Sequence, residues 1–516
     1  MPSCPSASQS SRGAEMDVMS GPISEVGIIG AGIMGIGIAE TMAAADLKVY
    51  LFDQLPGKAE TAKRDLSKRL DTRVARGKLK AAKAANTLDQ IIPIAALKEL
   101  ASADLVIEAI VEDLGVKREL IASLEAHLSP QTIIATNTSS LSVTAIAGKA
   151  ENPQHVVGFH FFNPVPLMRV VEVIKGALTS DAVLERLKEL AERIGHRPVM
   201  AADTPGFIVN HAGRAYGTEA LAMIRESVAD FTTIDAILRD AAGFRMGPFE
   251  LLDLTGLDVS HPVMEAIYGQ YYQEPRYRPS VITRQRLDAG LLGRKSGRGF
   301  YDYSDDSITI TTTDEQGSLP KSVTIIGDTP EKALQKVAEL AGVQISDDAR
   351  SSSLVLIGLI GDDLTSTIVR EGLDAANTIG FDPLFGVDEH RTLIASPGAT
   401  DNVREQALAL AQSDGVKASV VEDTCGTVCQ RVLAMIVNIA ADIVHQKIAS
   451  VDDLDAAVRL GLGYPHGPLE WGDRIGADMI VRILDAIHER TGDPRYRASL
   501  WLRRRAELKL PLAEYN

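Results

Sequence analysis

After about twenty polar, Ser-rich residues (MPSCPSASQSSRGAEMDVMS), the chain turns apolar at Val26-Gly27-Ile28-Ile29. That run passes through Gly30-Ala31-Gly32-Ile33-Met34-Gly35 into a helical pattern reaching Ala45, and a second apolar run, Lys48 to Phe52, stops at Asp53. A charged stretch of helical period follows from about Gly57 to Ala85, and strand-like runs stand at Leu105–Ala109, Thr132–Thr136 and Val156–Phe159. Strands alternating with helices in this way predict a parallel sheet covered on both faces. Beyond Asp203-Thr204-Pro205-Gly206 the apolar period changes to 3.6, so residues to about 300 read as helices joined by turns at Gly243, Gly247-Pro248 and Gly256.

The rest of the chain repeats what came before. Asp203-Thr204-Pro205-Gly206 returns as Asp423-Thr424-Cys425-Gly426, and Gly247-Pro248-Phe249-Glu250 as Gly467-Pro468-Leu469-Glu470, with Asp253 and Asp473 downstream. The offset is the same for both motifs (Gly206 to Gly426, Gly247 to Gly467). It is shorter by a single position for Pro275-Arg276-Tyr277-Arg278 and Pro494-Arg495-Tyr496-Arg497. A constant spacing across separate motifs marks a duplicated helical domain. Between the copies, Val323–Gly327, Leu354–Gly358 and Thr392–Ala395 read as strands of a shorter α/β unit, whose first strand continues as Gly327-Asp328-Thr329-Pro330 without the glycine loop. The expected organisation is a tail (1–20), an α/β domain (21–202), a helical domain (203–303), a linker (304–321), a degenerate α/β unit (322–420) and a second helical domain (421–516).

Composition narrows the function. The 516 residues carry 53 Lys and Arg against 69 Asp and Glu, a net charge of −16. Such a surface argues against general binding to nucleic acid or anionic membranes. No apolar run is expected to reach the ~18 residues of a membrane span, and the tail has no apolar core of a signal peptide. It reads as a disordered extension, with Met16 and Met19 as alternative starts. Three cysteines cannot build a disulfide framework; Cys425 and Cys429, four apart, are expected on one helix face in the core rather than on a metal. No metal site is expected, and the compartment reads as reducing cytosol.

Gly30-x-Gly32-x-x-Gly35 follows a strand and opens a helix, and Asp53 ends the next strand, the context of a dinucleotide fingerprint. Asp53 would accept hydrogen bonds from ribose hydroxyls and repel a 2′-phosphate, so NAD is expected rather than NADP. Further along, Val156–Phe161 and Val170–Val173 flank an Asn163-Pro164-Val165-Pro166 turn. In an antiparallel hairpin centred near Pro166, His160 faces Glu172, and a carboxylate opposite an imidazole fixes its tautomer and stabilises its charged form. The loop Thr136-Asn137-Thr138-Ser139-Ser140 is expected at the carboxyl edge of the sheet, where such folds bind ligands, and Asn210 at the entry to the helical domain.

These motifs, with VIEAIVEDLGVK (106–117), TNTSSLS (136–142), GFHFFNPV (158–165), VVEVI (170–174), DTPGFIVN (203–210), GPFELLD (247–253) and GRKSGRGFYDY (293–303), together resemble the L-3-hydroxyacyl-CoA dehydrogenases over about residues 23–303. The resemblance implies a Rossmann-type NAD-binding domain followed by an all-α domain of the dimerisation type, then the degenerate α/β unit and the duplicated all-α domain. It implies His160 as catalytic acid/base, Glu172 as its partner, Ser139 on the substrate oxygen and Asn210 polarising the carbonyl. It also implies that Gly30, Ala31, Gly32, Ile33, Met34, Gly35, Asp53, Glu112, Lys117, Asn137, Asn163 and Lys295 lie along NAD. For the CoA phosphates the resemblance points to Arg69 and Arg76 in the basic helix.

The implied activity is NAD-dependent oxidation of (S)-3-hydroxyacyl-CoA in fatty-acid or phenylacetate-type catabolism, and long forms of similar layout act on 3-hydroxybutyryl-CoA or 3-hydroxyadipyl-CoA. Other readings are a β-hydroxyacid dehydrogenase acting on a free acid, and a redox-silent NAD-binding structural protein. In the second half Gln430 replaces Asn210, no HFFNP or NTSS equivalent is legible, and Ser396-Pro397-Gly398 stands about where the serine loop belongs. That half is expected to be non-catalytic, its helical copy packing on the first as an internal pseudo-dimer, with a homodimer as a further possibility.

Overall fold

The computed structural model describes residues 21–304, 317–327, 329 and 332–514. The expectations for the first twenty residues, for most of the linker and for Asp328 and Pro330 lie outside these residues.

Glu25–Ile29 (β1), Lys48–Phe52 (β2), Ile91–Pro93 (β3), Leu105–Glu108 (β4), Ile133–Thr136 (β5), Val156–Phe161 (β6), Val170–Lys175 (β7) and Arg197–Ala202 (β8) form one sheet in the order β3-β2-β1-β4-β5-β6-β7-β8. Ile33–Ala44 (α1), Lys58–Ala75 (α2), Ala81–Asp89 (α3), Leu114–Glu125 (α4), Val143–Ala147 (α5) and Asp181–Arg193 (α6) connect and cover it. Its central strands are continuous apolar runs because both faces are buried: β4 and β5 have no exposed residue. The chain leaves β1 toward β2 on one side and returns to β4 on the other, which opens a crevice at the carboxyl edge. The charged stretch from Gly57 is two helices rather than one, interrupted at Gly77, whose φ of +68° suits glycine. Strand β3 carries too short an apolar run to stand out in the sequence.

The first helical domain comprises Val209–Ala212 (α7), Arg214–Arg225 (α8), Phe231–Asp240 (α9), Pro248–Thr255 (α10), Leu257–Gln270 (α11) and Val281–Asp288 (α12). A second sheet follows, ordered β10-β9-β11-β12-β13-β14, from Ser322–Ile326 (β9), Gln344–Ile345 (β10), Leu354–Gly358 (β11), Thr378–Phe381 (β12), His390–Ala395 (β13) and Lys417–Glu422 (β14). Ala333–Leu340 (α13), Leu364–Glu371 (α14) and Asp401–Ala411 (α15) cover it, and Val428–His445 (α16), Val451–Gly461 (α17), Pro468–Ile475 (α18), Ala477–Thr491 (α19) and Leu500–Leu508 (α20) complete the chain.

The two halves correspond in detail. Asp203 accepts hydrogen bonds from the N–H groups of Val143 and Thr144 at the start of α5, and Asp423 accepts those of Leu364 and Thr365 at the start of α14. Strand β11 therefore matches β5, and the counterpart of the serine loop is the turn after β11, residues 359–363. This corrects the placement at Ser396-Pro397-Gly398, which follows β13; the repeat length alone could not reveal where the second unit had lost residues.

The halves also exchange contacts. The Ala202 N–H donates to the Ile448 carbonyl at 2.8 Å, and the Glu422 N–H donates to the Val228 carbonyl at 2.8 Å. The duplication relates these two bonds, since the offset that carries Gly206 to Gly426 also carries Ala202 to Glu422 and Val228 to Ile448. Each sheet edge thus docks on the other half's helices, and α8 and α16 share one apolar core. Buried arginines lock this contact: Arg276 on Asp442, Arg431 on Glu219 and Glu226, and Arg495 on Glu219. Contrary to the sequence reading, α16 is long and apolar enough to cross a membrane by length and composition, and it is buried in this shared core. Cys429 lies in α16, but Cys425 precedes the helix, so the two do not share a face; both are free thiols.

Candidate active site

The turn after β1 is built from constraints only glycine meets. Gly30 has φ +100°, and its N–H donates to the Phe52 carbonyl at 2.8 Å. A Cβ on Gly35 would fall 1.8 Å from the Gly30 carbonyl oxygen, so α1 sits directly on the turn. A Cβ on Gly32, the N-cap of α1, would meet nothing within 4 Å, and no side chain caps the helix. Its free N–H groups and partial positive charge face open space, as a pyrophosphate requires. Asp53 closes the crevice from β2, its carboxylate accepting from the Ala31 N–H at 2.8 Å and the Leu55 N–H at 3.0 Å. Ile33, the first residue of α1, and Leu55 and Val111, in the turns after β2 and β4, are 74, 59 and 64% exposed. Apolar side chains left open around a helix N-terminus suit the flat rings of a dinucleotide.

Beyond the crevice, β6 and β7 pair antiparallel in the register read from the sequence, with His160 opposite Glu172. The imidazole Nδ1 lies 2.6 Å from Glu172 Oε2, and the other carboxylate oxygen accepts the N–H groups of Ile208 at 2.9 Å and Val209 at 2.8 Å. Glu172 is fully buried, so three hydrogen bonds replace its water and hold it where α7 begins. Phe162 and Phe207 lie against the imidazole, with ring centroids 4.5 and 5.9 Å away. The Asn163–Pro164 bond is cis, and the Asn137 side-chain oxygen accepts the Phe161 N–H at 2.8 Å, tying the serine loop to the end of β6.

Glu112 organises that loop. One of its oxygens accepts hydrogen bonds from the Thr138 hydroxyl (2.7 Å), the Ser139 N–H (2.9 Å) and the Ser140 N–H and hydroxyl (3.0 and 2.9 Å), and the Ser139 hydroxyl is 3.4 Å away. Burial works to raise the Glu112 carboxyl, but Lys117 and these donors outweigh it and hold it below the ordinary value. Lys117 is itself buried, its ammonium on both oxygens of Glu108 at 2.8 Å and on Glu112 at 3.4 Å. Burial raises the Glu108 carboxyl despite that ammonium. Glu108 was missed in the sequence; the signal was a carboxylate ending a central strand, where a buried charge demands a partner.

Asn210 reaches the loop from α7, its side-chain amide donating to the Ser139 carbonyl at 3.5 Å. His160, Glu172, Ser139, Asn210, Asn137, Glu112 and Lys117 are thus joined by direct hydrogen bonds or ion pairs into groups at one sheet edge. Lys295 pairs with Asp258 at 2.5 Å in the helical domain. Arg69 and Arg76 lie on and just after the solvated helix α2, Arg69 3.9 Å from Glu40.

Comparison with known proteins agrees with this geometry. The model of the 3-hydroxyacyl-CoA dehydrogenase NAD-binding domain matches residues 25–204, and that of the family's C-terminal domain matches twice, at 206–303 and 426–511. The chain is 38% identical over 487 residues to the 3-hydroxyadipyl-CoA dehydrogenase of Escherichia coli K12, covering 94% of this chain and 98% of that one. It superposes on the crystal structure of 3-hydroxybutyryl-CoA dehydrogenase from Escherichia coli K12 with a TM-score of 0.82, 37% identity and the same coverage. A one-copy relative, (S)-3-hydroxybutyryl-CoA dehydrogenase from Ralstonia eutropha, matches at 35% identity and a TM-score of 0.53 over 55% of this chain and all of its own length. With a nucleotide crevice fit for NAD, both family domains in order and a relative matched nearly end to end, the chain belongs to the 3-hydroxyacyl-CoA dehydrogenases, NAD-dependent oxidoreductases.

Proposed function

We propose that the chain interconverts a 3-hydroxyacyl-CoA and its 3-oxoacyl-CoA at the first α/β domain only, with His160 as acid/base. Bound NAD supplies the hydride acceptor for C3. The observation that carries the reading is the anchored pair: Nδ1 of His160 is committed to Glu172, which is itself fixed by two backbone N–H groups. Nε2 is then the nitrogen left to take the proton of the 3-hydroxyl, and Glu172 stabilises the imidazolium that forms. Ser139 and Asn210 supply the donors that meet charge growing on the carbonyl oxygen. Lys117 and Glu108 act through Glu112, holding the serine loop in place, while Ala31, Ile33, Met34 and Asn163 shape the NAD crevice together with Asp53. Lys295 is assigned to the cofactor, and Arg69 and Arg76 to the CoA phosphates. The setting we propose is acyl-CoA catabolism in the cytosol, to which two free thiols are suited.

The test is NADH oxidation at 340 nm with acetoacetyl-CoA, a longer 3-oxoacyl-CoA and free acetoacetate. Turnover of the CoA esters alone is expected, with His160→Gln losing about 10²–10⁴-fold while NADH still binds. Turnover of free acetoacetate would favour the free-acid reading. NADH binding with no turnover of any CoA ester would favour a silent scaffold.

A further inference from the structure

The serine loop presents both donors and acceptors, and each set has its own partner. The donors converge on one atom: the Thr138 hydroxyl, the Ser139 N–H and the Ser140 N–H and hydroxyl all reach the same Glu112 oxygen, within the first α/β domain. The carbonyls are held from the helical domain instead. The Asn210 side-chain amide donates to the Ser139 carbonyl at 3.5 Å, and the Gln270 side-chain amide donates to the Ser140 carbonyl at 2.9 Å. Backbone polar groups demand partners, and here two successive carbonyls take theirs from α7 and α11. Gln270 makes its bond across a gap. It is the exposed last residue of α11, and the cavity of about 330 Å³ beside it is lined by Ser140, Leu141 and Ser142 of the loop and by Gly269, Gln270 and Tyr272 at the end of the helix. The amide therefore ties two domains together at the rim of a cleft rather than inside a packed core.

The duplicated half holds its own loop from the same two places. By the offset that carries Gly206 to Gly426, Asn210 corresponds to Gln430 and Gln270 to Arg490. Packing confirms this register: a Cβ on Gly206 would meet Ile267 at 2.8 Å, and one on Gly426 would meet Ile487 at 2.9 Å. Gln430 accepts the Gly361 N–H and donates to the Leu359 carbonyl, while Arg490 pairs at 3.0 Å with Asp363, which caps α14. Both helical domains thus clasp the loop with one side chain from each of two helices. The second half does so with a charged pair on a loop acid. The first half uses a neutral amide on the main chain, which leaves the side chain of Ser139 to the substrate.

We propose that Gln270 is a positioning residue for Ser139: by fixing the Ser140 carbonyl from the helical domain, it sets where the neighbouring hydroxyl meets the substrate oxygen. The inference rests on the reading of Ser139 given above. A donor displaced from a developing charge costs rate rather than stability, so the loss of this clasp acts on turnover and leaves the NAD crevice and the fold intact.

The experiment is a double-mutant cycle on the full-length enzyme with acetoacetyl-CoA, in which kcat is read from NADH oxidation and NADH affinity and Tm are measured alongside. Gln270→Met keeps the length of the side chain and removes the donor. It should lower kcat about three- to tenfold, the worth of one neutral hydrogen bond, and leave NADH affinity within about twofold. In a Ser139→Ala background, where no hydroxyl is left to place, the same substitution should cost less than about twofold. Gln270→Glu, which sets a carboxylate against the carbonyl, should lower kcat at least as far and with the same dependence on Ser139. An unchanged kcat in Gln270→Met, or equal losses in the two backgrounds, would overturn the proposal and leave Gln270 as a brace between domains. Ser139→Ala at wild-type kcat would instead overturn the reading of Ser139.

Discussion

Two equivalent places in this molecule have met opposite fates. Strands β12 and β13 repeat the antiparallel pairing of β6 and β7: Gly380 faces Ile394 and Phe381 faces Leu393, as Gly158 faces Ile174 and Phe159 faces Val173. The next step of the ladder brings His160 opposite Glu172 in the first half and Asp382 opposite Thr392 in the second. Where Nε2 of His160 has no hydrogen-bond partner among the described residues, the Asp382 carboxylate is closed on itself. Its oxygens accept the Thr427 hydroxyl, the Gln430 amide at 2.9 Å and the N–H groups of Leu384 and Phe385 at 2.9 and 3.2 Å. Gln430, at the place of Asn210, donates also to the Leu359 carbonyl at 2.8 Å and accepts the Gly361 N–H at 2.9 Å. An active site needs polar atoms left waiting for substrate, whereas the second half has committed all of these to its own backbone and side chains.

The comparison can be broken in four places, taken from the largest effect down. Gly35→Ala pushes a methyl into the Gly30 carbonyl and should abolish NADH binding, measured by fluorescence titration; retained binding would mean that the turn is not the pyrophosphate site. Ser139→Ala and Asn210→Ala each remove one donor from the carbonyl oxygen and should lower kcat by about 10²–10³-fold, whereas Gln430→Ala should leave kcat within twofold. A loss of turnover on cutting Gln430 would show that the second half is not idle.

A pH effect comes next. Burial pushes Asp235, which accepts the Phe249 and Glu250 N–H groups and the Tyr301 hydroxyl, up to about 7. A carboxyl whose folded pKa is raised binds more protons folded than unfolded, so its contribution is intact below pH 4 and is lost as pH rises through 7. Asp235→Asn should therefore gain on the wild type by up to about 4 kcal/mol between pH 4 and 7, followed as a narrowing or reversing Tm difference; a pH-independent difference would exclude the raised pKa. Smallest of all, Asp382→Asn should change turnover by less than twofold while lowering Tm by a few degrees, through one weakened buried network.

Much of this was legible because it depends on spacing. The glycine turn, the His160–Glu172 register and the duplicated helices are all set by distances along the chain, and strand pairing converts those directly into contacts. What escaped reading depends on insertions and on burial. Residues lost from the second unit shift its numbering, so Asp382 was not recognised as the counterpart of His160, and the serine-loop counterpart was sought after the wrong strand. Glu108 and Lys117 stand nine apart on a strand and a helix, and only the fold shows that each neutralises the other. The apolar length of α16 was overlooked because its few polar residues, among them Gln430, Arg431 and Asn438, find partners inside the protein.

The reciprocal docking of Ala202 on Ile448 and Glu422 on Val228 has an evolutionary side. In a two-fold assembly of identical chains each substitution is written twice, so a residue that improves one site at its neighbour's surface must be tolerated at the mirror position as well. Covalent fusion ends that obligation. One copy can keep an open histidine where the other folds an aspartate into its own backbone, and each half becomes free to change without its counterpart changing too.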